Sequence, residues 1–75
     1  MNKRRREKLK KAKDLLESAA ELIDNVLDEE EDSLDNTPEN LQSGDKYEAK
    51  EAIVDELNDL SFDIADLIDR IEELL

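Results

Sequence analysis

The chain has 75 residues with 23 acidic and 11 basic side chains, a net charge of −12, and no histidine, cysteine or tryptophan. A length of this order supports one small domain with a modest core. The lack of Cys excludes disulfides and thiolate metal sites, and no apolar run approaches the roughly 20 residues of a membrane-spanning helix.

The charge is unevenly laid out. Lys3, Arg4, Arg5, Arg6, Lys8, Lys10, Lys11 and Lys13 crowd the start, opposed there only by Glu7, and beyond them the only cations are Lys46, Lys50 and Arg70. The basic start leads into more charged residues, not into the apolar stretch of a signal peptide, so a soluble, cytoplasmic protein is expected. A body this acidic repels nucleic acid and anionic lipid and attracts basic protein surfaces. The expected partner is therefore a basic protein surface, with no direct nucleic-acid and no membrane contact.

Leu9, Ala12, Leu16, Ala19, Ile23 and Val26 are spaced alternately three and four apart. That spacing keeps one stripe of a helix facing a neighbour and predicts a first helix over about residues 3–32. Leu15, Leu22 and Leu27 widen the stripe. The charges oppose the helix dipole at both ends, with cations at the start and Asp28-Glu29-Glu30-Glu31-Asp32 at the end. Each well-placed charge of this kind costs about 0.3–1 kcal/mol. Pairing with an acidic neighbour would offset the basic end, but nothing within the hairpin offsets the acidic run.

Residues 33–44 form a connection with its own punctuation. Thr37 suits an N-cap, Pro38 a first helical position and Gly44 a left-handed stop, which predicts a single helical turn around residues 38–43. Asp45 then caps the second helix, with Glu48 completing a capping box. Leu34 and Leu41 are expected to fold back over the end of the hairpin, and Tyr47 to pack against the connection.

Ile53, Leu57, Leu60, Ile64, Leu67, Ile71 and Leu74 repeat the alternating spacing and predict a second helix over about residues 45–75, with Val54, Ile68 and Leu75 widening its stripe. The fold class is all-α: an antiparallel two-helix hairpin, coiled-coil-like, forming a single domain over residues 1–75. Setting Leu16 against Leu67 also sets Ala12 against Ile71, Ala19 against Ile64 and Ile23 against Leu60. It brings Lys10 and Lys11 near Glu72 and Glu73. Stripes this wide leave Leu15, Leu22, Leu27, Val54 and Ile68 partly uncovered, so a homodimeric four-helix bundle is a natural completion.

Catalytic chemistry has little to draw on. No His or Cys is present as base or nucleophile, and Ser18, Ser33, Ser43 and Ser61 have no evident activating partner, so no enzyme is expected. A di-iron bundle site needs a Glu-x-x-His pattern, and the acidic run lacks the alternation and central Gly of a calcium loop. No cofactor and no metal are expected. The basic start is short and free of aromatic residues. Its expected role is to neutralise the acidic C-terminus and not to bind nucleic acid.

The second helix carries the residues that point to binding. Asp55, Asp59, Asp63, Asp66 and Asp69 recur at three- and four-residue intervals, close enough to imitate a run of backbone phosphates. Phe62 is out of step with the heptad and should stand among them as an exposed anchor. The expected partner-binding residues are Asp55, Asp59, Phe62, Asp63, Asp66 and Asp69, acting together as a nucleic-acid mimic. The competing reading is a merely solvated coat on a structural or assembly protein.

The centre of the chain reads Asp35-Asn36-Thr37-Pro38-Glu39-Asn40-Leu41-Gln42. In this motif, its basic start and its two acidic helix segments, the chain resembles a group of small acidic helical-hairpin proteins of bacterial prophages and other mobile elements. Where that group tends towards Ser-Glu-Arg-Gly after the motif, this chain has Ser43-Gly44-Asp45-Lys46. The resemblance implies a phage or mobile-element setting in a bacterial host, and no particular activity. In that setting, a natural role is to inhibit or modulate a host nucleic-acid-handling or defence protein.

Overall fold

Asn2 starts the first helix: its side-chain Oδ1 accepts the Arg5 backbone N–H at 2.9 Å, satisfying one of the donors a helix start leaves free. The computed structural model describes residues Met1–Leu75, and from this cap α1 runs unbroken over Lys3–Asp35. It passes the expected end at residue 32. No Gly or Pro interrupts Ser33-Leu34-Asp35, and Leu34 is half-buried one heptad beyond Leu27, continuing the stripe. Pro38 then disfavours helical geometry at the residue before it.

The connection keeps its single turn, a 3-10 helix over Glu39–Leu41, but its ends are made differently from the expectation. Thr37 does not cap it. The Thr37 hydroxyl donates back to the Ser33 carbonyl at 3.0 Å, serving a free acceptor at the end of α1, and Pro38 occupies the cap position. Gly44 is not left-handed: at φ −87 and ψ 163 it is extended and is itself the N-cap of α2, which spans Asp45–Glu72. Asp45 is therefore the first helical residue and no capping box forms, although Asp45 and Glu48 still place negative charge at the favourable end of the dipole. At the other end, the helix stops short of residue 75. Leu74 and Leu75 donate to the carbonyls of Ile71 and Glu72 in a closing turn.

The two helices pack antiparallel. Three polar contacts mark the level: Lys13 Nζ to Glu72 Oε1 at 2.6 Å, Ser61 Oγ to Asp24 Oδ1 at 2.7 Å, and Lys50 Nζ to Ser33 Oγ at 3.1 Å. The axial register follows the expected Leu16–Leu67 level to within a fraction of a turn. The cation that meets Glu72 is Lys13, however, and neither Lys10 nor Lys11 makes an ion pair.

The rotational setting of α2 differs more. Apolar residues come in adjacent doublets: Leu15-Leu16, Leu22-Ile23 and Val26-Leu27 on α1, Ile53-Val54 and Leu67-Ile68 on α2. In each, the second residue turns into the seam and the first is left exposed. Leu27, Val54 and Ile64 are the most buried side chains, and Leu16, Ile23, Leu57, Ile68 and Ile71 are half-buried around them. Val26, Ile53, Leu60, Leu67 and Leu74, expected in the seam, are 41–58% exposed. Leu27, Val54 and Ile68, expected to be left over, belong to the seam instead. Leu34 contributes to the covered end of the hairpin, whereas Leu41 remains exposed. The product is a rod of 59 × 14 × 13 Å with a radius of gyration of 17.3 Å, where a compact chain of this length would have about 11 Å.

Candidate binding surface

With Val54, Leu57, Ser61, Ile64 and Ile68 turned towards α1, the opposite side of α2 is fixed by helical geometry. Asp55, Asp59, Phe62, Asp66 and Asp69 follow one another at four- and three-residue steps on that outer side, and all are exposed. They form one stripe of about 21 Å at 1.5 Å rise per residue. Phe62 is its central rung, with 75% of its surface open to solvent. Asp63 is also exposed but sits one residue round from Phe62, between the stripe and the Leu60–Leu67 row.

None of these carboxylates is ion-paired. The only salt bridges link Lys13 to Glu17, at 3.6 Å, and to Glu72. Lys13 is held above the ordinary lysine pKa, chiefly by its hydrogen bond to Glu72, with the nearby charges of Glu72 and Glu17 adding to it. The basic start of α1 thus spends one cation on the neighbouring helix and leaves the outer stripe unneutralised. On α1, Asp24 is diverted from any acidic face by its bond from Ser61, and Glu30 and Glu31 are half-covered.

Two serines have partners that were not legible in the sequence. Ser61 donates to Asp24, and Ser33 accepts from Lys50. Both contacts tie one helix to the other, and neither serine lines a hollow in the surface. No group of three or more His, Cys, Asp or Glu side chains is placed to hold a metal ion. No helix is long and apolar enough to cross a membrane.

A shallow hollow beside the connection went unread in the sequence. Leu41, Ser43, Tyr47 and Lys50 help to line it, with Lys46 at its edge supplying a second cation. Its one signal was an aromatic and a leucine spaced about Gly44. The half-buried Tyr47 stands at the connection, where it was expected. Comparison with protein-family models, with curated proteins and with solved structures gives no match.

Proposed function

We propose that this chain is a non-enzymatic binding module that lays the outer stripe of α2 on a basic, nucleic-acid-binding surface of a host protein, inhibiting or modulating it. The observation that carries this reading is Phe62, 75% exposed at the centre of unpaired carboxylates. An aromatic side chain in that position has a solvation cost in the free chain and offers an anchor in a complex. The motif at Asp35–Gln42 supports a phage or mobile-element setting in a bacterial cytoplasm.

Charge density limits how far mimicry goes. A net charge of −12 over 59 Å is about one charge per 5 Å, against one per roughly 1.7 Å for duplex nucleic acid. Electrostatics therefore steers the encounter, and Phe62 supplies the short-range contact that holds it. A second reading, an assembly protein with a merely solvated coat, draws support from the row of uncovered apolar residues on the side of the rod.

The test is capture of bacterial proteins on the immobilised chain, with bound proteins identified by mass spectrometry. A basic nucleic-acid-binding protein should be retained, and released as salt rises. Combining Asp59→Asn, Asp63→Asn and Asp66→Asn should abolish retention, and Phe62→Ala should weaken it by about 1 kcal/mol or more. Glu29→Gln, Glu30→Gln and Glu31→Gln together should leave it intact. Equal retention by both triple variants would reduce the acidic surface to a solvated coat.

A further inference from the structure

The exposed apolar residues that stand just before the seam positions are not scattered. On α1, Leu15, Leu22 and Val26 each precede a seam residue by one position, and on α2 so do Ile53, Leu60 and Leu67. One residue is about 100° of helix rotation. Two antiparallel helices facing each other turn in opposite senses about a common axis, so the same one-residue offset carries both rows to the same side of the hairpin. The six side chains form one apolar face, 41–67% exposed, running for about 21 Å along α2 near the middle of the 59 Å rod. Phe62 lies about 140–160° round α2 from Leu60 and Leu67, so this face is separate from the acidic stripe.

The area is more than a monomer of this mass ordinarily exposes. A folded 8.6 kDa chain has about 4,700 Å² of accessible surface, whereas this one has 5980 Å², with only 3 of 75 residues buried. The excess of about 1,300 Å² is spread over the whole elongated rod; a standard stable interface takes roughly 800 Å² from each partner, so a pair would draw on the flanking charged ends as well as on the six apolar side chains.

Charge selects the occupant and its direction. The open end of the hairpin carries the basic run from Lys3 to Lys13, and the closed end carries Asp28 to Asp32 with Asp35, Glu39, Asp45 and Glu48. The rod is thus positive at one end of α1 and negative at the other, over a length several times the roughly 8 Å Debye length of physiological salt. Only local juxtaposition of the ends is felt. We infer that a second copy of this chain docks antiparallel on the face of Leu15, Leu22, Val26, Ile53, Leu60 and Leu67, laying the basic start of each copy along the acidic closed end of the other. The arrangement is isologous about an axis near the middle of the rod. It also gives the acidic run at the end of α1, unfavourable to its own helix, a partner of opposite charge. The inference is independent of the acidic stripe, which stays uncovered in such a pair.

Sedimentation of the full chain at about 100 µM should give twice the mass of one chain, with dissociation on dilution. Leu22→Gln combined with Leu60→Gln should weaken the dimer by roughly 100-fold while leaving the helical circular dichroism intact, because both side chains are exposed in the single hairpin. Spin labels on Ser43→Cys, in a chain with no other cysteine, report direction. Antiparallel copies put the two connections about a rod length, near 59 Å, apart, and parallel copies bring them together. A monomer at that concentration, a dimer indifferent to the double variant, or a short label distance would each overturn the inference.

Discussion

Ile64 and Leu22 are both large aliphatics within heptad stripes, yet the structure gives them opposite surroundings. Ile64 is 9% exposed and Leu22 is 67% exposed. Trimming Ile64 to Ala removes about three CH₂ equivalents at ~0.8 kcal/mol each, nearly all of them buried, for a loss of about 2 kcal/mol before any cavity is counted. A residual cavity raises the figure into the range of roughly 2–5 kcal/mol found for such truncations. The same arithmetic for Leu22→Ala leaves about a third of the transfer loss, offset by a few tenths of a kcal/mol from the better helix propensity of Ala. The expected cost is about 0.5 kcal/mol. At about 4–8 °C per kcal/mol for a domain of this size, Ile64→Ala should lower the melting temperature by ~10 °C or more and Leu22→Ala by under about 4 °C. The comparison belongs at dilutions where sedimentation gives a single chain, with melting followed by circular dichroism. If the two variants melt alike there, or Leu22→Ala melts lower, the assignment of doublet members to seam and surface is wrong. At higher concentration the Leu22 effect should grow while the Ile64 effect stays, because only Leu22 lies on the face given to a second copy.

Gly44→Ser should stabilise the hairpin by about 0.5–1.5 kcal/mol: the position is extended, an added Cβ meets only the Leu41 carbonyl at 3.7 Å, and α2 has no side-chain cap. A loss of stability in urea unfolding would mean that Gly44 is left-handed after all. Lys13→Met should lower the melting temperature at neutral pH. Because folding raises the Lys13 pKa, its contribution is complete below the ordinary lysine value of about 10.4 and is lost as pH climbs through the raised one. The gap between parent and variant should therefore hold steady from neutral pH and close only in strong alkali. A gap that widened with pH over that range would contradict the Lys13–Glu72 pairing.

Much of the architecture was legible because helices declare themselves through spacing. The three–four alternation in both halves marked two helices, and the Leu16–Leu67 register, which brings the basic start near Glu72 and Glu73, marked their antiparallel order, although the cation that pairs is Lys13 and not Lys10 or Lys11. The face of α2 was not legible, for a specific reason. At Ile53-Val54 and Leu67-Ile68 both neighbours are apolar, so the pattern admits two seams one residue apart. At Leu60-Ser61 the pattern favours leucine, while the hairpin places serine inwards and ties it to Asp24 across the seam. Only the pairing of whole helices decides between such settings. Thr37 and Gly44 misled in a related way. Thr-Pro at a helix start and Gly at a helix end are ordinary signals, but here one helix ends and the next begins within a few residues. The same side chains can then serve either neighbour: Thr37 turned back to Ser33, and Gly44 turned forward to open α2. For the candidate surface, exposure of Phe62 followed from its being out of phase with either seam, so the error in rotation did not disturb it. The placement of Asp63 beside the stripe and the use of Asp24 inside the hairpin both depended on that rotation.

A hairpin that buries only Leu27, Val54 and Ile64 places few demands on any single position. Most substitutions along it should be nearly silent for folding, since a rod two helices thick lets a changed side chain swing outwards instead of forcing its neighbours apart. Such a chain is free to drift. What selection would have to preserve is rhythm more than identity: paired apolar positions recurring at steps of four and seven residues or their multiples, the second of each pair staying aliphatic because it meets the other helix. Two descendants of one ancestor could then share this shape and little else, and the beat of the doublets would be a better sign of their kinship than any run of matching letters.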